Sequence, residues 1–382
     1  MAGNSKKKIL IYIRYYLPGF RSGGPVRSIS NMVKTLNHKY DFYIVCLSYD
    51  YGENKRYENV SGSFWKEYEG ARILHLDRYQ VPFASILKSV RRLRPDIVYF
   101  NSFLDPLFTF LQLWYYLTNK IKIIIAPRGE LTPGSLSLSR FKKNTYIYIF
   151  KKIYLSKKIF WHSTNEEEFK QIMLNIGVDR RYVCTADNIP FFEEQRFNQV
   201  NKEPNKLKII FLSRVTPVKN LLYALNTLKY CKSNIAFDIY GEIGDKNYWY
   251  QCSRKIHSLP SNISVNYCGT VSPDKVYETL SRYHLFFLPT LGENFGHAIF
   301  EALSVGLPVL ISDQTPWTDL VNKSNYAAIS LHKQESYAAF IERLSKMKNS
   351  DFINLKSCAF ELFKEYVDSN NFISDYEDMF SI

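Results

Sequence analysis

Two glutamates, Glu293 and Glu301, stand eight residues apart in the segment PTLGENFGHAIFEAL at 289–303. An ionised carboxylate only accepts hydrogen bonds, which suits it to hydroxyl groups. Between the two lie Asn294, Phe295 and Gly296, whose backbone N–H groups at a helix start suit a phosphate or sugar oxygen. Eight residues is a little over two helical turns, so both carboxylates are expected to project to one side. Such a constellation fits one carboxylate on a sugar and the other on a ribose, beside a phosphate. Read one at a time, the same residues are an N-capping glutamate and a helix-surface glutamate.

Other loops carry compatible chemistry. Arg214 and Lys219, in SRVTPVKN at 213–220, are two cations five residues apart that can converge on a diphosphate or form a solvated surface pair. Gly23 and Gly24, in PGFRSGGP at 18–25, allow backbone to approach a phosphate at a helix start, and equally describe a tight turn. Their spacing is not G-x-G-x-x-G, which argues against a dehydrogenase even though Asp50 follows the second strand. Arg140, Lys142, Lys143, Lys151, Lys152, Lys157 and Lys158 form an acid-free stretch interleaved with Phe141, Tyr146, Tyr148, Phe150 and Tyr154. That pattern suits a membrane interface, RNA or a solvated helix.

The elements that must position these loops are short apolar runs alternating with amphipathic stretches. Runs at 8–13, 42–48, 96–101 and 121–127 are followed, after the polar segment 196–206, by runs at 207–213, 236–241, 263–269, 285–290 and 307–312. The rhythm predicts parallel strands with crossover helices in two α/β domains. The expected boundaries are 1–195, a linker at 196–206, 207–365, and a closing helix at 366–382 packing back on the first domain. In parallel sheets ligands sit outside the strand C-termini, where these loops fall.

Six cysteines without a C-x-x-C pair argue against zinc and disulfides and for a reducing cytoplasm. Residues 103–117 are greasy but shorter than the roughly 20 needed to span a bilayer. The net charge of +14 is confined to the first half, where 31 Lys and Arg face 17 Asp and Glu, against 19 and 19 after residue 200. A basic half implies an anionic partner: nucleic acid, acidic lipid or a diphosphate.

The 289–303 segment, with GLPVLISD at 306–313 and Thr315-Pro316-Trp317, resembles the signature of the retaining family 4 glycosyltransferases, and the PRGEL form at 127–131 resembles a branch of them found in bacterial surface-polysaccharide assembly. Gly23-Gly24, Arg214 and Lys219, Gly241, and the Cys268-Gly269-Thr270-Val271 loop match the same family. The resemblance implies two facing Rossmann-like domains (GT-B) with parallel sheets and an interdomain cleft. It implies that Glu293 meets the donor sugar, Glu301 the ribose, Arg214 and Lys219 the diphosphate, and the loop at Gly269, Thr270 and Val271 the base. Where many members carry a histidine, this chain has APRGELTPG at 126–134, so Arg128 is expected at the histidine position and Glu130 as an acceptor base. His162 matches a family pattern and equally reads as structural.

Fixed cations stabilise a departing nucleoside diphosphate without metal, and no D-x-D occurs, so no metal or other cofactor is expected. The expected reaction moves a hexose or N-acetylhexosamine from a UDP- or GDP-sugar to a lipid-diphosphate-linked glycan in O-antigen, capsule or exopolysaccharide assembly. The expected place is the cytoplasmic side of an anionic inner membrane, with no nucleic-acid partner. The rival readings are a nucleotide-sugar epimerase of the same fold and a non-catalytic membrane- or partner-binding module.

Overall fold

The computed structural model describes residues 6–58, 60, 64–77, 83–119, 121–137, 139–154, 158–190, 200–323 and 327–381. The chain divides into two units, Met1–Phe191 with Asn371–Ile382, and Phe192–Asn370. The segment read as a linker, 196–206, thus falls in the second unit. Residues 196–199 lie outside the described residues, and Lys206 already begins a strand.

Unit 1 contains β1 (Lys7–Tyr12), α1 (Gly24–Leu36), β2 (Tyr40–Leu47), β3 (Lys66–Tyr68), β4 (Ala71–Leu76), α2 (Phe83–Val90), β5 (Ile97–Phe100), α3 (Leu111–Thr118) and β6 (Lys122–Ile125). It continues with α4 (Pro133–Ser137), α5 (Arg140–Tyr154), β7 (Phe160–Ser163), α6 (Glu166–Ile176) and β8 (Val183–Thr185). The sheet order is β3-β4-β2-β1-β5-β6-β7-β8. Pairing is parallel throughout except for the edge strand β3, which runs antiparallel to β4. Helices cover both faces of parallel sheets, which is why β1 and β5 read as continuous apolar runs and are fully buried along Ile9–Ile11 and Val98–Phe100.

Unit 2 contains β9 (Lys206–Leu212), α7 (Leu221–Leu228), β10 (Asn234–Tyr240), α8 (Lys246–His257), β11 (Ile263–Gly269), α9 (Val276–Leu280) and β12 (Leu285–Leu288). Then come α10 (His297–Ser304), β13 (Val309–Ser312), α11 (Thr318–Asn322), β14 (Ala327–Ile329), α12 (Gln334–Lys346) and α13 (Asn349–Ser369). Its strands are all parallel in the order β11-β10-β9-β12-β13-β14. Counted within the unit this is 3-2-1-4-5-6, the dinucleotide-fold order, with the reversal between β9 and β12. In unit 1 the equivalent reversal falls between β1 and β5.

The last helix, α14 (Phe372–Ser381), belongs to unit 1. Lys7 Nζ donates to Phe380 O at 3.1 Å, Lys39 pairs with Glu377, and the Tyr376 ring stands edge-on to His162. The break from unit 2 comes at Asn370, which is extended, and not at 365/366, where α13 is unbroken.

One backbone position at the sheet edge admits only glycine. Gly241 has φ 144°, and a Cβ built on it would lie 2.0 Å from Ser213 O. Ser213 N donates to Tyr240 O and Gly241 N to Gly269 O, so this close approach joins the ends of β9, β10 and β11. Gly241→Ala is expected to cost unit 2 about 3 kcal/mol in urea unfolding; a variant as stable as wild type would show that the approach relaxes freely.

Candidate functional site

The loops at the reversal of unit 2 are tied together by backbone before any side chain is considered. Val218 O accepts from Leu291 N at 2.7 Å and from Thr290 Oγ1 at 3.1 Å, and Glu293 N donates to Gln314 O at 3.1 Å. These bonds join the loops after β9, β12 and β13. On that seam Lys219 and Glu293 form an ion pair, with only 19% and 9% of their side chains exposed. The left-handed Asn220 ends the short turn Pro217–Lys219 and starts α7. Gly241 and Gly269 lie at the neighbouring strand ends, with Thr270 exposed and Val271 half-buried beyond. Arg214 is half-buried in the loop directly after β9.

The helical argument for the two glutamates needs correction. Helix α10 begins at His297, capped by Gly296 in the left-handed region (φ 82°) without a side-chain cap. Glu293, Asn294 and Phe295 therefore form a turn, and only Glu301 is on the helix, where it is buried. The first turn of the helix thus begins at Gly296, later in the chain than the sequence indicated. The turn is held by Trp317, whose indole N–H donates to Phe295 O while its ring meets the Phe295 ring edge-on. Thr315-Pro316-Trp317 was the visible sign of this lock.

In unit 1 the reversal carries a second charge pair. Arg14, just after β1, grips Asp105, after β5, through Nε–Oδ2 and Nη2–Oδ1 contacts of 2.8 Å each. Asp105 also caps the turn Pro106–Phe110 by accepting from Leu107 N and Phe108 N. The glycine loop before α1 is pinned by Asp50, whose carboxylate accepts from Phe20 N at 2.9 Å and Arg21 N at 3.1 Å. Gly23 caps α1 with φ 74° and no side-chain cap, and Gly24 is its first residue.

The structure gives Arg128 and Glu130 other partners than a reacting hydroxyl. Arg128 is half-buried, in the left-handed region (φ 55°), donating to Asn101 Oδ1 at 2.8 Å, Asn188 Oδ1 at 2.5 Å and Tyr99 Oη at 2.7 Å. Burial works against its charge, but Tyr99, Tyr376 and Glu168 outweigh it and raise the pKa. Glu130 accepts from Ser102 Oγ and Phe103 N at 2.6 Å and from Leu104 N at 2.8 Å. Burial raises its pKa against the pull of those donors. Glu168, which sequence reasoning passed over, holds the segment between them by accepting from Gly129 N at 2.6 Å and from Thr164 N and Oγ1.

His162 is interior. Burial and the nearby Arg128 charge lower its pKa to about 3, so the ring is neutral. Nε2–H donates to Ala186 O at 2.7 Å, which leaves Nδ1 to accept from the Tyr99 hydroxyl at 2.6 Å. The chain Arg128→Tyr99→His162→Ala186 O therefore has one proton direction.

Of the basic residues expected to face a membrane, Arg140, Lys142, Lys152 and Lys158 are exposed. Lys143 turns back to Ser135 O and Oγ at 2.7 and 3.0 Å, and Lys151 caps α6 at Asn175 O at 2.9 Å, so neither faces outward. Lys157 lies outside the described residues. Among the described residues no cluster of His, Cys, Asp and Glu has metal-holding geometry, and no helix is long and apolar enough to cross a membrane.

Residues 192–358, which fall in unit 2, match the family model of glycosyl transferases group 1. The sulfoquinovosyl transferase SQD2 of Arabidopsis thaliana is 28% identical over 119 residues, 31% of this chain and 22% of that protein. Whole-chain likeness is to solved structures. HepE of Anabaena with UDP and glucose has a TM-score of 0.65 at 12% identity, covering 95% of this chain and 99% of that one. A variant of S. aureus TarM in a complex containing UDP scores 0.70 at 14% identity, covering 98% and 100%. WaaG, a glycosyltransferase involved in lipopolysaccharide biosynthesis, scores 0.64 at 10% identity, covering 98% of each. At such identities the likeness is one of fold: two parallel-sheet α/β units, as in GT-B glycosyltransferases.

The neutral His162 makes unit 1 acid-sensitive. Its folded pKa lies below the unfolded value, so the unfolded chain takes the proton first. The histidine's contribution is complete above about pH 6.5 and is lost as pH falls toward 3. Between pH 7.5 and 5.0 the stability gap between wild type and His162→Gln should narrow by about 2 kcal/mol in urea unfolding. A gap that does not change with pH would mean the ring is not held neutral.

Proposed function

We propose that the chain is a retaining, metal-independent glycosyltransferase that moves a hexose or N-acetylhexosamine from a UDP- or GDP-sugar to a lipid-diphosphate-linked glycan. The setting is bacterial O-antigen, capsule or exopolysaccharide assembly at the cytoplasmic, anionic face of the inner membrane. The observation that carries the reading is the Lys219–Glu293 pair at the strand-order reversal of unit 2, inside the region matching the group 1 family. Ligands of open parallel sheets bind in that crevice. HepE and TarM, of the same fold, have been solved with UDP, which supports a uridine donor.

In this reading Arg214 and Lys219 take the diphosphate, aided by the first-turn donors of α10, while the loop at Gly23 and Gly24 in unit 1 is itself suited to a phosphate. Glu293 takes a sugar hydroxyl, Glu301 the ribose, and the strand end at Gly241 and Gly269 with Thr270 and Val271 the base. The bond from the anomeric carbon to the diphosphate oxygen breaks. A bond to the acceptor oxygen forms on the same face, and the acceptor proton leaves with the departing phosphate. Negative charge grows on the leaving group, and the cations already drawn onto the diphosphate stabilise it. Arg128, Glu130 and His162 act as positioning residues, because their polar atoms are engaged within unit 1.

Nucleotide release should be screened across UDP- and GDP-sugars with short lipid-linked acceptors. Acceptor-dependent release that survives EDTA is expected. Full loss with EDTA, restored by manganese, would overturn the metal-free mechanism. An epimerase would interconvert the sugar without net release, and a binding module would release nothing.

A further inference from the structure

The greasy stretch at 103–117 does not go wholly inside. Leu107, Leu111 and Trp114 are exposed at 38%, 44% and 61%, while Gln112 is fully buried. Their i, i+4, i+7 spacing places them on one face of the helical run from Pro106 through α3. A helix of this size on a soluble surface ordinarily turns its polar side outward, whereas here three large apolar side chains face out. Helix α5 lies alongside: the Phe110 ring meets Tyr146 and Tyr154 at 5.4 and 5.2 Å, and the Tyr154 hydroxyl donates to Phe110 O. Its own outer side shows Phe141 and Tyr148, 84% and 58% exposed, bordering a shallow depression with Arg140, Asn144 and Thr145.

Charge decides what covers this surface. From Pro106 to Asn165 the only acidic residue is Glu130, and its carboxylate is engaged by Ser102, Phe103 and Leu104. The exposed charges nearby, Arg140, Lys142 and Lys152, are all positive. Apolar side chains beside an acid-free basic rim complement a layer that is hydrocarbon inside and anionic outside.

We propose that α3 and α5 form a bilayer-docking face in which Leu107, Leu111 and Trp114 enter the acyl boundary while Arg140, Lys142 and Lys152 meet anionic headgroups. This deepens, and rests on, the proposed membrane partner. The Trp114 indole suits the boundary, having an apolar body and one N–H for the headgroup region.

The full chain is sedimented with phosphatidylcholine vesicles with and without phosphatidylglycerol, and its tryptophan fluorescence is read against brominated acyl chains. Wild type should bind anionic vesicles and be quenched, and Trp114→Phe should bind while losing most of the quenching. Leu111→Gln with Trp114→Gln, which leaves charge untouched, should lower partitioning about tenfold at low and high salt alike. Arg140→Gln with Lys142→Gln and Lys152→Gln should remove only the salt-sensitive part. Undiminished quenching of Trp114→Phe, or unchanged partitioning of the Leu111/Trp114 variant, would overturn insertion by α3. A wild type indifferent to lipid charge would overturn the headgroup contact. Donor hydrolysis without vesicles is read separately, so loss of docking and loss of the glycosyltransferase reading are distinguishable.

Discussion

At each strand-order reversal, a cation from the loop after the first strand holds a carboxylate from the loop after the strand on its other side. In unit 1 the pair is Arg14 with Asp105, and in unit 2 it is Lys219 with Glu293. Reversal opens a crevice because the two crossovers leave in opposite directions, so no helix ties the loops together. In unit 1 the pair supplies that tie, and in unit 2 it reinforces the backbone bonds between the loops. Asp105 at once caps the following turn, and the Lys219–Glu293 pair rides on the backbone bonds to Val218 O. Removing one partner of such a screened pair leaves the other charge poorly solvated, which costs more than the pair contributes.

A second constraint organises unit 1 around the guanidinium of Arg128. It donates to neutral oxygens of Tyr99 on β5, of Asn101 just after β5 and of Asn188, and Tyr99 passes the chain on to His162 of β7. Interior charge is tolerated only when its donors are met, so this cage must close completely. Tyr376 of α14 helps raise the Arg128 pKa, which gives a physical reason for the chain's last helix to belong to unit 1. With Glu130 holding 102–104 and Glu168 holding Gly129, the PRGE segment at 127–130 is a junction of three neighbouring loops.

Much of the fold was legible because parallel strands are apolar on both faces. The nine runs named from sequence correspond to β1, β2, β5, β6 and β9–β13. Strand β4 was missed because Arg72 and His75 interrupt its run, and β8 and β14 because three residues make no pattern. Residue types at the unit 2 loops were readable, but the pairing of Lys219 with Glu293 was not, since 74 residues separate them and periodicity reports only local neighbours. The helical spacing argument failed at Glu293 because Gly296 delays the helix. Arg128 and Glu130 looked catalytic as charges in a strand-end loop; their distant partners Asn101, Asn188 and Ser102 appear only once the sheet is assembled. The same holds for Lys143 and Lys151, whose charge is visible in sequence and whose inward turn is not.

Under the proposed function, the Lys219–Glu293 pair is a donor site held closed on itself, so that an arriving diphosphate must draw the ammonium away from the carboxylate. Calorimetric titration of Glu293→Gln with UDP and GDP tests this most directly. Removing the competing carboxylate should let nucleotide bind more tightly than to wild type even as sugar transfer is lost. Weaker nucleotide binding by Glu293→Gln would contradict the account, because the carboxylate would then be supporting the nucleotide site and not competing for its lysine.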